Sequence, residues 1–383
     1  MTKNGKNNRQ IAPLFLEWPG KKVSQERLAA AINACKTAGV DSLIAFRNLL
    51  CLGDNLDFML SLLQKGYSGK VNLIYLDPPF GTGSDLNFAG GSMNVEEKAY
   101  KDNWGAGLNV YLQMLWERLI LMKELLAEDG SIYVHLDYHV ANYIKVILDE
   151  LFGRENMVNQ IVWQRTGGHN DSQAFGRNYD IILFYRKSDK MTWHKPVTGY
   201  DEAHLKRYFR KDESGRWYRL NNPTGKGYQD HLRDFGKGPV KPPRDRHWSI
   251  SQAQVNTWLQ ENKIVYTSSG YPFVKKFLDE MPGKQVQSIW MDLIPPRSSR
   301  ELTGYPTQKP EKLLERIIAA SSNEGDLVAD FFCGSGTTLV AAEKLGRQWL
   351  GCDSGEQAIK IAKERLAKAC RPGSYELIIP SPQ

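Results

Sequence analysis

A short apolar run that ends in Asp77, Pro78, Pro79 and Phe80 constrains the fold of this chain more than any other feature. The run, residues 71–76, has the length and composition of a buried strand in a parallel sheet. Ligands of open α/β sheets bind at the carboxyl ends of such strands, so a binding site is predicted at Asp77. The two prolines lack backbone N–H groups and fix φ, which leaves carbonyl acceptors beside the Asp77 carboxylate. Acceptors next to an aromatic ring fit a planar group with an exocyclic amine, and a nucleobase is the obvious candidate.

A second apolar run, residues 326–332, leads into Cys-Gly-Ser-Gly-Thr-Thr at 333–338 and then into a stretch with helical character. A strand, a glycine turn and a helix N-terminus together bind nucleotides, because glycine lets a ligand approach the backbone N–H groups. Asp353 follows 19 residues after Gly334, about the spacing at which an acidic residue meets ribose hydroxyls in dinucleotide-binding folds. The third glycine of the G-x-G-x-x-G pattern is absent, because Leu339 stands there. The turn therefore favours an adenosine ligand other than a dinucleotide.

Together these motifs make the chain resemble the β-class of amino-directed DNA methyltransferases, most closely the adenine-N6 group. That group includes modification subunits of type III restriction systems and many solitary bacterial enzymes. It is similar in its motif order, with Asp-Pro-Pro-aromatic first, a target-recognition region in the middle and Phe-x-Gly-x-Gly last. Further matches are Gly-Asp-Asn-Leu at 53–56, Gly-Arg-Asn-Tyr-Asp at 176–180 and Tyr-Pro-Thr-Gln-Lys-Pro at 305–310. The resemblance extends from about residue 45 to residue 368.

The resemblance implies an α/β fold: a Rossmann-like class I methyltransferase sheet, circularly permuted, with an inserted target-recognition lobe. In such a sheet the strand before Asp77 and the strand before the glycine turn lie side by side, although about 250 residues separate them. The expected domains are an N-terminal arm at 1–40, a catalytic half at 41–187, a basic target-recognition lobe at 188–298 and a cofactor-binding half at 299–383.

The resemblance also implies a mechanism in which S-adenosylmethionine methylates the N6 amine of an adenine flipped out of double-stranded DNA. Asp77 and the Pro78 carbonyl would accept the two amine hydrogens, and Phe80 would stack on the base. The expected catalytic residues are Asp77, Pro78, Pro79 and Phe80. The expected cofactor-binding residues are Asp54, Thr307, Lys309, Asp330, Phe332, Gly334, Gly336, Thr337 and Asp353.

Positive charge is concentrated in residues 186–250, which contain 16 Lys and Arg against 8 Asp and Glu, whereas the whole chain has a net charge of +7. Aromatic residues such as Trp193, Tyr208 and Trp217 are interleaved with these charges. Lys and Arg can neutralise phosphates while aromatic and polar groups reach the bases, so this segment is interpreted as the DNA-recognition lobe. The candidate DNA-binding residues are Arg165, His169, Arg207, Arg210, Arg244 and Arg246.

Composition adds broad limits to this interpretation. The chain is 41% hydrophobic and 24% charged, which is ordinary for a globular protein. Neither a signal peptide nor an apolar run long enough to span a membrane is visible, so a cytoplasmic location without membrane association is expected. The five cysteines contain no C-x-x-C pair, which argues against a disulfide framework and a structural metal site.

Local patterns predict α/β elements around the basic segment. Leucines recurring at spacings of three and four within 108–126 predict an amphipathic helix. Ser354 and Gln357 predict a capping box at the start of the last helix. Strands are predicted over 131–136, 158–165 and 180–187.

Three rival interpretations stay open. Cytosine-N4 methylation uses the same amine chemistry, although that group more often has Ser at the position of Asp77. A protein-glutamine methyltransferase would carry Asn there. A relative that has lost catalysis would keep only the basic lobe and bind DNA. The recognised DNA sequence and the oligomeric state do not follow from the sequence, so a homodimer and a separate restriction endonuclease both stay open as partners.

Overall fold

The protein is represented by a computed structural model that describes residues 14–37, 48–79, 85–87, 98–101, 107–168, 173–294, 301 and 303–379. The described residues of Met1–Pro196 and Gln287–Gln383 form one compact unit, and Val197–Val286 form a second. In these parts of the chain the helices are α1 (Lys21–Thr37), α2 (Asn55–Gln64), α3 (Leu108–Leu125), α4 (Ala141–Phe152), α5 (Glu202–Tyr208), α6 (Gln252–Gln260), α7 (Glu311–Ser321), α8 (Thr337–Lys344) and α9 (Glu356–Ala369).

The strands follow the same chain order, and short 3₁₀ helices lie at Arg154–Asn156 and Leu278–Glu280. The strands are β1 (Asn48–Leu52), β2 (Val71–Leu76), β3 (Asp85–Asn87), β4 (Lys98–Lys101), β5 (Leu126–Leu136), β6 (Met157–Gln164), β7 (Tyr179–Arg186), β8 (Val197–Thr198), β9 (Arg210–Lys211), β10 (Trp217–Asn221), β11 (Thr224–Lys226), β12 (Arg233–Asp234), β13 (Pro239–Val240), β14 (Arg246–Trp248), β15 (Ile264–Tyr266), β16 (Pro272–Phe277), β17 (Lys284–Gln285), β18 (Ile289–Trp290), β19 (Leu327–Asp330), β20 (Gln348–Asp353) and β21 (Tyr375–Ile378).

A nine-stranded sheet forms the centre of the first unit, in the order β18-β6-β7-β5-β2-β19-β20-β1-β21. Within this sheet β7 is antiparallel to both of its neighbours, and the other neighbouring pairs are parallel. This arrangement confirms the predicted Rossmann-like methyltransferase sheet. Buried side chains of α1 to α4 share one hydrophobic core with the strands, and Trp116, Leu62 and Ile144 are among them.

The two strands that carry the predicted site are direct neighbours. β19 pairs with β2 in parallel, with Val328 opposite Leu73 and Ala329 opposite Ile74. Because parallel neighbours end at the same edge of a sheet, Asp77 and the glycine turn after β19 lie on one side of the molecule. The predicted adjacency of two segments distant in sequence is therefore confirmed.

Most predicted elements occur within a few residues of their expected bounds, but one helix start differs. β2, α3, β6 and β7 match the predicted runs, and β5 begins five residues before the expected start at Ser131. The capping box of Ser354 and Gln357 is wrong, because α9 has Gly355 as its N-cap, without a side-chain capping bond. The Gly355 N–H instead donates to Asp353 Oδ1 at 2.8 Å. None of the helices in the described residues is both long and apolar enough to cross a membrane.

The second unit is built from short antiparallel ribbons and two helices, α5 and α6. Its largest sheet has the order β15-β16-β10-β9. A small core of Phe235, Trp248 and Val255 lies between its elements. This unit falls within the segment 188–298 that sequence analysis assigns to DNA recognition.

Candidate active site

A cleft of about 730 Å³, here called the Asp77 cleft, lies at the carboxyl ends of β2 and β19. It brings together most of the residues that the sequence singled out for catalysis and cofactor binding. The predicted residues that line it are Asp77, Pro78, Pro79, Thr307, Lys309, Asp330, Phe332, Gly334, Thr337 and Asp353. Tyr75 and Tyr305 also line it, without having been predicted as site residues.

Asp77 follows directly after β2, and its two carboxylate oxygens have different environments. Oδ2 accepts a hydrogen bond from Lys309 Nζ in an ion pair whose side chains are 15% and 11% exposed, respectively. Oδ1 is buried and has no hydrogen-bond partner within the described parts of the chain. A buried acceptor without a partner is rare and unfavourable, so Oδ1 is suited to accept a hydrogen bond from a ligand. Phe80, the predicted stacking residue, lies outside the described residues.

The glycine turn after β19 has the backbone conformation that makes glycine necessary. Gly334 and Gly336 have φ of +49° and +75°, values that other residues rarely adopt. A Cβ atom at Gly336 would lie 2.9 Å from the Ala362 Cβ, and one at Gly334 would lie 3.2 Å from the Tyr305 ring. Gly336 is also the N-cap of α8, where backbone N–H groups point towards an approaching ligand.

Asp353, at the end of β20, fixes the turn. Its Oδ2 accepts from the Gly334 N–H at 2.9 Å and its Oδ1 accepts from the Gly355 N–H. Burial raises the pKa of Asp353, although these two hydrogen bonds oppose the shift. The structure therefore assigns to this residue a contact with the turn itself, which the ribose prediction did not include.

Asp330, the last residue of β19, is 2% exposed. The Phe332 N–H donates to Oδ1 at 3.0 Å, and the Thr338 hydroxyl donates to Oδ2 at 2.5 Å. Burial, helped by the charges of Asp77 and Asp353, raises the pKa of Asp330 to about 7. Asp330 thus joins the strand to the first turn of α8 at the wall of the cleft.

Asp54 lies in a second cleft of about 470 Å³, here called the Arg118 cleft. The Asp54 carboxylate caps α2 by accepting from the Leu56 N–H at 2.6 Å, and it accepts from Arg118 at 3.0 and 3.1 Å. Arg118 also donates to the Asn55 side chain, whose amide donates to the Phe331 carbonyl. The two clefts share three lining residues, so one elongated ligand could contact both. The shared residues are Pro79, Phe332 and Asp353.

Arg365 of α9 supports the glycine turn through hydrogen bonds. Its Nη1 donates to the Ser335 carbonyl at 3.0 Å and to the Thr337 hydroxyl at 2.7 Å. The side chain is 10% exposed, and this burial lowers the pKa of Arg365. Neither Arg118 nor Arg365 was predicted from the sequence, because an arginine inside an amphipathic helix usually lies on its solvated face.

A buried hydrogen-bond network of polar side chains connects neighbouring strands of the sheet beside the Asp77 cleft. The Tyr75 hydroxyl and His135 Nδ1 lie 2.9 Å apart, and His135 Nε2 and Asp180 Oδ2 lie 3.1 Å apart. Although burial opposes it, the hydrogen bond and charge of His135 lower the pKa of Asp180. Arg165, a predicted DNA-binding residue, is 45% exposed, and its Nη1 lies 3.5 Å from Asp180 Oδ1. His169, the other candidate in this loop, lies outside the described residues.

The remaining DNA-binding candidates belong to the second unit. Arg207, Arg210 and Arg244 are exposed. Arg246 is half-buried and donates to the Thr224 hydroxyl at 2.6 Å and to the Thr224 carbonyl at 2.9 Å. Three of the four arginines therefore present their charge to solvent.

Comparison with known proteins agrees with this geometry. A family described as DNA methylase, N6_N4_Mtase, matches residues 71–364, which is more than half of the chain. This chain belongs to that family.

Relatives extend the match almost to the full chain. The type II methyltransferase M.EcaI of Enterobacter cloacae is 32% identical over 95% of this chain and 80% of its own length. The Mod subunit of the type III restriction-modification enzyme StyLTI of Salmonella typhimurium is 26% identical over 79% of this chain, which spans 50% of that subunit. The crystal structure of the M1.HpyAVI–SAM complex aligns with 17% identity and a TM-score of 0.46, covering 83% of this chain and 99% of that one.

Family membership confirms the prediction of a DNA methyltransferase that uses S-adenosylmethionine as methyl donor. The StyLTI relative is a Mod subunit of a type III restriction-modification enzyme, the group that the sequence resembles. The family joins N6 and N4 enzymes, so membership does not select adenine or cytosine as the target base.

Proposed function

We propose that this chain transfers a methyl group from S-adenosylmethionine to the N6 amine of an adenine flipped out of duplex DNA. The proposal rests on Asp77, which lines the cleft. Its Oδ1 atom is a buried acceptor that has no hydrogen-bond partner in the described residues. An exocyclic amine supplies the missing donor. Asp at this position favours the adenine group, because cytosine-N4 enzymes more often have Ser there.

The glycine turn supports binding of the methyl donor. The positive φ angles of Gly334 and Gly336 shape a turn that leads into the N-terminus of α8, whose free backbone N–H groups can bind the donor. We assign Phe332, Gly334, Gly336, Thr337 and Thr307 to the amino-acid end of the donor. Asp353 and Asp54, which line the Arg118 cleft, are assigned to its adenosine.

The residues of the Asp77 cleft then act on the target amine. When bound, S-adenosylmethionine supplies an electrophilic methyl carbon on a sulfonium that leaves as a neutral thioether. Asp77 and the Pro78 carbonyl accept the two amine hydrogens, so the nitrogen lone pair withdraws from the ring and forms the new C–N bond as the C–S bond breaks. The surplus proton passes from the methylated amine to Asp77 or to water. Holding two reactants at contact distance is worth roughly 7 to 11 kcal/mol, so positioning can supply most of the acceleration.

Recognition of the duplex is assigned to the basic lobe, residues 188–298. The exposed Arg207, Arg210 and Arg244 can neutralise backbone phosphates, and the neighbouring aromatic residues can contact bases. Flipping the target base out of the stack costs a few kcal/mol, which these contacts must offset. The name of the StyLTI relative, a Mod subunit of a restriction-modification enzyme, supports a separate endonuclease as a partner.

Long-read sequencing of DNA from cells that express the protein tests this proposal. We expect N6-methyladenine within one recurrent sequence, and none in cells with an empty vector. N4-methylcytosine at a recurrent sequence would contradict the adenine assignment. Unmodified DNA, together with no heat of S-adenosylmethionine binding by calorimetry, would favour a DNA-binding relative without catalysis.

A further inference from the structure

Lys309 contacts the Asp77 carboxylate, whereas sequence reasoning directed this lysine to the methyl donor. The two residues are separated by 232 positions in the chain, and both side chains are largely buried. Asp77 follows β2, and Lys309 precedes α7, whose N-cap is Pro310. The contact is therefore made between two separate segments that meet at the Asp77 cleft.

The loop that carries Lys309 is fixed by the side chain beside it. Gln308 Oε1 accepts from the Thr303 N–H at 3.0 Å and from the Thr303 hydroxyl at 2.7 Å. Gln308 Nε2 donates to the Glu301 carbonyl at 2.6 Å. These bonds close the loop on itself, which reduces the conformations open to the lysine that follows.

The ion pair makes the two oxygens of Asp77 inequivalent. A carboxylate rotates readily about its last side-chain bond, so either oxygen could face a ligand in the absence of other contacts. Lys309 holds Oδ2, and the buried Oδ1 is left as the oxygen with an unfilled acceptor position. The plane of the carboxylate is thereby set before any ligand arrives.

We propose that Lys309 is a positioning residue that holds Asp77 Oδ2 and so directs Oδ1 to the target amine, an inference that rests on the proposed adenine methylation. In this role Lys309 acts on the chemical step, through the carboxylate that it holds, and leaves donor affinity unchanged. A donor-binding lysine would give the opposite pattern.

The first experiment separates donor binding from chemistry in Lys309→Met and Lys309→Arg. Single-turnover methyl transfer to unmethylated plasmid DNA is measured with saturating enzyme and saturating tritiated S-adenosylmethionine, and the donor Kd is measured by calorimetry. Misplacing a reacting group by about 1 Å can slow a reaction roughly 100-fold, so we expect Lys309→Met to lower the rate constant about 10- to 100-fold. The donor Kd should stay within about threefold, and Lys309→Arg should recover part of the rate because arginine keeps the charge and the donor groups. Lys360→Met, on the exposed side of α9, is the matched control and should leave both quantities unchanged.

The second experiment tests the ion pair in the protein without ligands. Melting temperatures of wild type, Asp77→Asn, Lys309→Met and the double variant form a double-mutant cycle. Removing the lysine alone leaves a buried carboxylate without its partner, so Lys309→Met should lower the melting temperature more in the wild-type background than in Asp77→Asn. Additive shifts would mean that the pair does not form, and this would overturn the proposal.

The outcomes also distinguish this inference from the proposed function. A donor Kd raised tenfold or more in Lys309→Met, with a normal rate constant at saturation, would assign the lysine to the donor and overturn the inference while methylation stands. Unchanged rate and Kd would overturn it as well. A wild-type protein that methylates no DNA would contradict the proposed function, and the melting cycle would then still decide whether the lysine holds Asp77.

Discussion

Replacing Asp330 with asparagine should remove a pH-dependent loss of stability. Asp330 is almost fully buried at the end of β19, where it accepts from the Phe332 N–H and the Thr338 hydroxyl. Burial, together with the charges of Asp77 and Asp353, raises its pKa to about 7. Asparagine has nearly the same shape, and its amide can accept from Phe332 while donating to the Thr338 oxygen. The substitution therefore removes the titration and keeps the local hydrogen bonds.

The size of the effect follows from the difference between the pKa of Asp330 in the folded protein and its pKa in the unfolded chain. An unfolded Asp330 has an ordinary pKa of 3.8, so between about pH 4 and pH 7 the folded protein holds a proton that the unfolded chain has released. The stabilisation that this proton gives to the folded protein is complete below this pH window and is lost as the pH rises through it. Each pH unit in the window changes the free energy of unfolding by about 1.4 kcal/mol. From pH 5 to pH 8, wild type should thus lose about 3 kcal/mol relative to Asp330→Asn.

Urea unfolding followed by tryptophan fluorescence at pH 5, 6, 7 and 8 measures this difference. The control is Asp129→Asn, at an exposed site. The free energy of unfolding should fall with urea concentration at the same slope in all three proteins, so that differences in the urea midpoint report differences in stability. The advantage of Asp330→Asn over wild type should grow with pH, whereas Asp129→Asn should follow wild type. Parallel pH curves for wild type and Asp330→Asn would refute the reasoning, because they would show that Asp330 ionises equally well in both states.

Three further predictions concern the active site and the basic lobe. Asp77→Ala should abolish methyl transfer while the Kd for S-adenosylmethionine stays within a few fold, as measured by calorimetry; near-normal turnover would remove Asp77 from its catalytic role. Gly336→Ala should destabilise the protein by roughly 1 to 3 kcal/mol and weaken donor binding, because it combines φ of +75° with a crowded Cβ. Gly373→Ala is the control, since its φ of +77° has open space around the Cβ, and an equal loss of donor affinity there would contradict the expectation. Replacing Arg207 and Arg210 with alanine should lower DNA affinity and make the log–log salt slope shallower by about 0.9 for each lost phosphate contact, and an unchanged slope would place the DNA surface elsewhere.

The sequence predicts the parts of the site whose chemistry is local. Asp77 follows its apolar strand at once, and Gly334 and Gly336 lie between a strand and a helix, so composition and order suffice to place them. Their adjacency in space follows from the rules of α/β sheets, and β19 does pair with β2.

Contacts made between distant side chains were not predictable in the same way. The partner of Lys309 lies 232 residues away, and its choice depends on how the loop before α7 approaches β2. Arg118 and Arg365 carry no local signal, because their contacts with Asp54 and Ser335 depend on helix packing. The failed capping box has the same origin, because Asp353, at the end of β20, accepts from the Gly355 N–H and α9 begins one residue later than the local pattern predicts.

The charges around the Asp77 cleft explain why it suits a cationic ligand. Three carboxylates converge there, and burying them together is unfavourable unless each is compensated. Asp77 is paired with Lys309, and the raised pKa of Asp330 favours its protonated form. Asp353 accepts hydrogen bonds from two backbone N–H groups. Three carboxyl groups and one lysine therefore line the cleft, so its polar surface offers more acceptor oxygens than cationic groups. A sulfonium is stabilised by such oxygens, whereas the pyrophosphate of a dinucleotide would meet few cationic partners there, which is the same preference that the missing third glycine indicates.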